Sequence, residues 1–215
     1  MTFSHDLLVF GASGKTGLHV VRLARAAGLR VAALLRPGRD AEALERLDCT
    51  VLRGDALNAS DCAAAFAAAQ PATAVSLLGG RNEKGERVDA TGNLHVIDAA
   101  QAWQADLRFV LLTSMGCDEQ FAGMPEQVQQ LLGEALRAKT QAERHLRAST
   151  LTWTILRPGG LNDMPAVGGY LLSDYPTAES RNYLSREDVA QAVLDALGDR
   201  TRAGRAQTVS ARPAA

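Results

Sequence analysis

The chain has 215 residues, of which 47% are hydrophobic and 22% charged, with a formal net charge of -1. That length lets one α/β unit bury a sizeable core, and the balance excludes both a disordered chain and the basic footprint of a nucleic-acid binder. The longest apolar runs, residues 109–112 and 63–69, are far too short to span a bilayer, and the N-terminus lacks a basic-then-apolar signal pattern; a cytoplasmic protein without a membrane partner is expected.

In chain order, short apolar runs alternate with helical patterns, the signature of a parallel sheet covered by helices on both faces. Residues 6–11 read as the first strand. Residues 14–27 follow as a helix, with Leu18, Val21 and Ala24 on one face and Gly28 as its C-terminal stop. A second strand is expected at 30–35, a helix at 40–47, a third strand at 50–53 and a helix at 60–68. Strands at 73–78, 107–113 and 151–156 are then separated by helices at 86–104 and 125–148, and each strand is apolar enough for burial on both faces. Ser185-Arg186-Glu187-Asp188 has the form of a capping box, Ser185 capping and Asp188 reaching back, so a last helix starts there and runs to residue 197. Residues 158–183 have no periodicity, and 207–210 can add a final strand. The expected fold class is a single doubly wound α/β domain of Rossmann type, with a small substrate-covering region at about 158–184.

Cys49, Cys62 and Cys117 form no Cys-x-x-Cys pair, and His5, His19, His95 and His145 lack metal-ligand spacing. Reduced thiols and no metal site are expected.

The chemistry is concentrated where the first strand turns into the first helix, at Gly11-Ala12-Ser13-Gly14-Lys15-Thr16-Gly17. Gly11 permits the tight turn, Gly14 lets the backbone approach a pyrophosphate, and Gly17 lets the helix pack closely on the sheet. Free N–H groups and the positive end of the helix dipole then face the phosphates, with Ser13, Lys15 and Thr16 able to add side-chain contacts. A nucleoside-triphosphatase loop needs four residues between its glycines; only two separate Gly11 from Gly14. An NAD-selective site carries an acid at the end of the second strand, whereas Leu35-Arg36-Pro37-Gly38-Arg39 puts Arg36 and Arg39 there. Planar, permanently charged guanidinium groups suit a 2′-phosphate, so the expected cofactor is NADP(H). Asp55, after the third strand, is placed to approach the adenine or to cap the next segment.

These segments, with Leu77-Leu78-Gly79, Thr113-Ser114-Met115-Gly116, Lys139 with Glu143, and Ile155-Leu156-Arg157-Pro158-Gly159-Gly160-Leu161, resemble the atypical short-chain dehydrogenase/reductase group. Within it the likeness is to NAD(P)H-binding proteins related to NmrA-like proteins and to the flavin reductase biliverdin reductase B. The resemblance implies that Leu78 and Gly79 line the middle of the cofactor and that Ser114 lies beside the nicotinamide. Pro158, Gly159, Gly160 and Leu161 would wall the nicotinamide pocket, and Lys139 would hold the ribose. The superfamily's catalytic tyrosine stands four residues before that lysine, where this chain has Ala135. Tyr170, Tyr175 and Tyr183 are followed four residues later by Asp174, Glu179 and Glu187, so none replaces it by spacing.

Loss of a general acid typically costs about 10²–10⁴-fold in carbonyl reduction. Hydride transfer to a flavin or quinone-like acceptor needs less, since the conjugated acceptor stabilises the added electrons and water supplies protons. The expected activity is therefore NADPH-dependent reduction of such an acceptor, with Ser114 and Lys139 as the catalytic candidates. The alternative is a non-catalytic NADP(H) redox sensor of NmrA type. A methyltransferase would need an acid where Arg36 stands. Residues 162–182, with Tyr170, Leu171, Leu172 and Tyr175, are the expected substrate cover.

Overall fold

The computed structural model describes residues 3–212, the side chain of Arg181 excepted. Its frame is an eight-stranded sheet built from β1 (His5–Phe10), β2 (Val31–Leu35), β3 (Thr50–Arg53), β4 (Pro71–Ser76), β5 (Arg108–Leu112), β6 (Thr152–Pro158), β8 (Tyr170–Ser173) and β10 (Arg205–Ala211). A two-stranded parallel ribbon pairs β7 (Leu161–Asn162) with β9 (Leu184–Ser185). Across the main sheet the order is β3-β2-β1-β4-β5-β6-β10-β8, parallel throughout except for the β10–β8 pair. The winding direction reverses between β1 and β4, where a doubly wound sheet opens a crevice at its carboxyl edge.

Strand alternation divides the core in two. Leu7, Val9, Ala33, Val75, Val110, Leu156 and Val209 face α1 (Lys15–Ala26), α2 (Glu42–Glu45) and α6 (Arg186–Gly198). Leu8, Phe10, Ala32, Ala74, Phe109, Leu111 and Ile155 face α3 (Ala59–Ala69), α4 (Thr91–Trp103) and α5 (Glu126–Ala148). Gly28 ends α1 as expected: at φ +81° it leaves Leu29 N–H to bond the Ala24 carbonyl. Among the described residues no helix is long and apolar enough to cross a membrane.

Several sequence expectations change. The helix expected at 86–104 begins only at Thr91, because Asn82 draws the preceding chain into a turn, its side chain accepting from the Lys84 and Glu86 N–H groups. The helix expected at 40–47 shrinks to the single turn of α2, with Asp40 capping Glu42 N–H and Asp48 at φ +54° ending the segment. Strand β3 is an edge strand, its end residues exposed, and is not buried on both faces. The capping box is half formed: Ser185 caps Glu187 N–H, but Asp188 turns away and accepts from Val167, Gly168 and Gly169. The stretch without periodicity, 158–183, contains β7 and β8, and β9 follows it directly. Tyr170 and Leu172 pack against the core at the sheet edge, and Tyr170 Oη donates to Asp195 at 2.6 Å.

A buried ion cluster ties α5 to β6. Arg157, fully buried, donates to Glu143, also fully buried, and reaches Glu119 at 2.6 Å; Glu143 additionally accepts from Thr113 at 2.6 Å. Burial works against the Arg157 charge, but hydrogen bonds to Glu143 and Glu119 outweigh it and raise its pKa. The Glu119 hydrogen bond to Arg157 lowers that carboxyl to about 2 from 4.5. Because the folded value lies below the unfolded one, the unfolded chain takes up the proton first. Glu119 thus stabilises the fold fully above pH 4.5 and loses that contribution as pH falls towards 2. Denaturant unfolding across this range is expected to be less steeply acid-sensitive in Glu119→Gln than in the parent. Asp6, lowered to about 2 by its hydrogen bonds with Arg30, contributes in an overlapping window and is unaffected by that substitution.

Candidate functional site

At the end of β1 the chain turns on Gly11, which has φ +85° and whose Cβ, if present, would lie 3.0 Å from the Leu77 carbonyl carbon and oxygen. Both constraints demand glycine. A Cβ on Gly17 would lie 2.2 Å from the Gly11 carbonyl oxygen and 2.7 Å from Ala12 Cα, so α1 packs directly on the turn. Gly14 is different: its Cβ would meet only that carbonyl oxygen, at 3.3 Å, and otherwise point into open space. Gly14 is also the N-cap of α1, with no capping side chain and no acid in the helix's first turn. The leading N–H groups are left for an anion.

Two grooves meet at this turn. The first, of about 270 Å³, runs towards β2 and is lined by Gly11, Ser13, Gly14, Arg36, Arg39 and Asp55, with Leu78 and Gly79 on its β4 side. The side chain of Arg53 braces the arginine corner by donating to the Arg39 carbonyl at 2.7 Å. Arg39 also stands 3.6 Å from Glu83 on the facing loop. Asp55 closes the turn after β3 by accepting from Leu57 N–H and stays on the groove wall, while Asn58 caps α3.

The second groove, of about 430 Å³, runs towards β6 and is lined by Gly11, Gly14, Lys15, Thr16, Gly17 and Gly79, and further along by Thr113, Lys139, Pro158, Leu161 and Arg186. The Lys139 side chain is only 16% exposed, so it faces the groove and not bulk solvent. One turn earlier on α5 stands Ala135, partly buried and without a hydroxyl. Lys15 pairs at 2.6 Å with Asp163, which also binds Arg186, so the glycine turn is clasped to the segment after β7.

Three expected site residues stand outside both groove linings. Ser114 turns its hydroxyl to the Met115 carbonyl at 3.1 Å, and the residue on the wall is Thr113. Gly159 makes room for the Ser180 carbonyl, and Gly160 for the Tyr183 ring. Cys117 is fully buried, and burial pushes its thiol up to about 12, which leaves it a packing residue and not a nucleophile. Sequence reasoning missed Asp89, whose buried carboxylate lies against Lys139, and Arg87, which pairs with it at 3.0 Å. Placing residue 89 inside a helix hid it.

The arrangement fits an extended dinucleotide: an open cradle over Gly14 in the middle, cations at the β2 end, and a lysine beside an apolar wall of Pro158 and Leu161 at the β6 end. Comparison with known proteins agrees. The family model for NAD(P)H-binding proteins matches residues 11–200. ChuY of Escherichia coli, an anaerobilin reductase, is 32% identical, with 97% of this chain and 100% of that one covered at a TM-score of 0.83. A short-chain dehydrogenase/reductase of Veillonella parvula, solved with NADP, shares the fold at 18% identity and a TM-score of 0.76, covering 97% of this chain and 96% of that one. An uncharacterized chloroplastic protein of Arabidopsis thaliana is 28% identical over 201 residues, covering 89% of this chain and 71% of its own length. The chain is a Rossmann-fold member of the NAD(P)H-binding oxidoreductase family.

Proposed function

We propose that this protein is a cytoplasmic NADPH-dependent reductase acting on a conjugated acceptor of flavin, quinone or anaerobilin type, with no protein side chain serving as general acid. The observation that carries this reading is the groove beside Lys139: a lysine and an apolar wall are there, but Ala135 replaces the hydroxyl, and no tyrosine lines either groove among the described residues. Tyr170 is engaged with Asp195 and Arg202 at the sheet edge.

When bound, reduced nicotinamide supplies a hydride. The chain's own part is positioning. The N–H groups after Gly14 would hold the pyrophosphate, Lys139 would donate to the nicotinamide ribose, and Pro158 with Leu161 would keep water from one face of the ring. Ser114 serves the acceptor only if its hydroxyl turns from the Met115 carbonyl. Residues 158–184 cover the acceptor from the β6 side. The anaerobilin reductase among the relatives supports a conjugated acceptor, and the lack of an acid argues against aldehydes and sugar nucleotides. The test is NADPH oxidation against a panel of flavins, quinones, anaerobilin-type acceptors, aldehydes and ketones. Turnover confined to conjugated acceptors is expected. Silence towards all of them with tight NADPH binding would replace this reading with the redox-sensor one.

Preference for NADP(H) rests on Arg36 and Arg39 at the end of β2. A hydrogen bond to a charged group contributes about 1.5–3 kcal/mol. Arg36→Ala is therefore expected to weaken NADPH binding by about 10- to 100-fold and leave NADH binding nearly unchanged, as read by calorimetry with both cofactors. Equal losses for the two would make Arg36 a general scaffold residue.

A further inference from the structure

Asp89 is fully buried just before α4, where its carboxylate gathers three groups. Oδ2 accepts from Gly80 N–H at 3.0 Å and from Arg87 at 3.0 Å, while Oδ1 lies 2.8 Å from Lys139 Nζ. Oδ1 has no well-directed hydrogen bond, so the charge of the Lys139 ammonium is its main compensation. A buried carboxylate oxygen left in that state is uncommon in a fold that only needs stability. Gly79 supplies the matching space: a Cβ there would lie 2.8 Å from Lys139 Nζ and 3.1 Å from Asp89 Oδ1. Lys139 meets Asp89 beside the groove floor because position 79 has no side chain to part them. Arg87 holds the carboxylate from behind, reaching Glu134 of α5 at 3.2 Å, and Glu134 is gripped by Arg81 at 2.6 and 2.8 Å.

We propose that Asp89 is a positioning residue for ligand binding: it fixes the Lys139 ammonium over Gly79, aimed into the groove, before a dinucleotide ribose arrives. The inference rests on the dinucleotide reading of the groove and adds to it the element that pre-orders its lysine. A free lysine stem samples many rotamers, and ordering it in advance removes that entropic penalty from binding. A purely structural Asp89 would support the loop 79–90 whatever residue stood at 139. An Asp89 that acts through Lys139 has no effect on binding once the ammonium is gone.

The two cases separate in a double-mutant cycle. NADPH is titrated calorimetrically into the parent, Asp89→Asn, Lys139→Met and the double variant, with the thermal midpoint of each recorded. Each single substitution is expected to weaken NADPH binding by about ten-fold, and the double variant to bind within about two-fold of Lys139→Met. An additive loss near 100-fold in the double variant would overturn the proposal. If Asp89→Asn does not fold, Asp89→Glu takes its place, since it keeps the carboxylate charge beside Arg87 but displaces the oxygen aimed at Lys139 Nζ. That substitution should weaken binding in the parent and be silent beside Lys139→Met; a loss persisting there would also overturn the proposal. Failure of the parent to bind NADPH is a separate outcome, and it removes the dinucleotide reading together with the inference.

Discussion

Gly14→Val is expected to weaken NADPH binding by at least about 100-fold, some 2.7 kcal/mol, while lowering fold stability by only about 1 kcal/mol. The backbone at Gly14 is ordinary extended chain, φ −73° and ψ 160°, which valine adopts readily. Its Cβ would press only on the Gly11 carbonyl oxygen at 3.3 Å, so little in the protein resists it. What the branched side chain fills is the space over the free N–H groups at the start of α1, where a pyrophosphate must sit. Gly17→Ala should fail in the opposite way. A methyl 2.2 Å from the Gly11 carbonyl oxygen cannot be absorbed by a side-chain rotation, because the opposing atoms are backbone. The expected result is a loss of about 1–3 kcal/mol or more as α1 is levered off the turn, with binding lost because the turn is deformed. Calorimetry and denaturant unfolding on both variants separate the two roles. Normal NADPH affinity in Gly14→Val would remove the phosphate cradle from the account.

Glu143→Ala is expected to destabilise the fold by about 3–5 kcal/mol, a large fraction of the roughly 5–15 kcal/mol that a domain of this kind has to spare. Glu143 and Arg157 are both fully buried, and removing the acid leaves the guanidinium with Glu119 as its main counter-charge and Thr113 without its acceptor. The effect should reach the site, because Thr113 lines the groove and Arg157 immediately precedes Pro158 on its wall. The control is the paired replacement Glu143→Leu with Arg157→Met, which removes both charges at once. It should recover most of the loss, since an apolar pair of similar volume is often no worse than a buried ion pair. Equal destabilisation in the single and paired variants would mean that shape, not charge, governs this part of the core.

Where the sequence was legible, the signal was local. The five central parallel strands are short apolar runs buried on both faces, and three glycines at fixed spacing mark the turn after the first of them. Arg36 could be placed because the second strand ends cleanly at Leu35. What escaped depends on partners distant in the chain. Strand β8 exists because β10 offers an unpaired edge, and nothing in Tyr170-Leu171-Leu172-Ser173 alternates strongly enough to announce it. Asp188 has the sequence position of a capping residue, yet three N–H groups of the loop 167–169 compete for its carboxylate and win. Asp89 was hidden for the same reason: its meaning lies in Lys139, fifty residues further on and packed across Gly79.

The most direct test of the account is the crystal structure of the NADPH complex. It should place the pyrophosphate on the N–H groups following Gly14, the adenosine 2′-phosphate against Arg36, and the nicotinamide ribose on Lys139 with the ring between that lysine and the wall of Pro158 and Leu161. A dinucleotide bound elsewhere, or one whose nicotinamide half lies away from Lys139 and that wall, would contradict it.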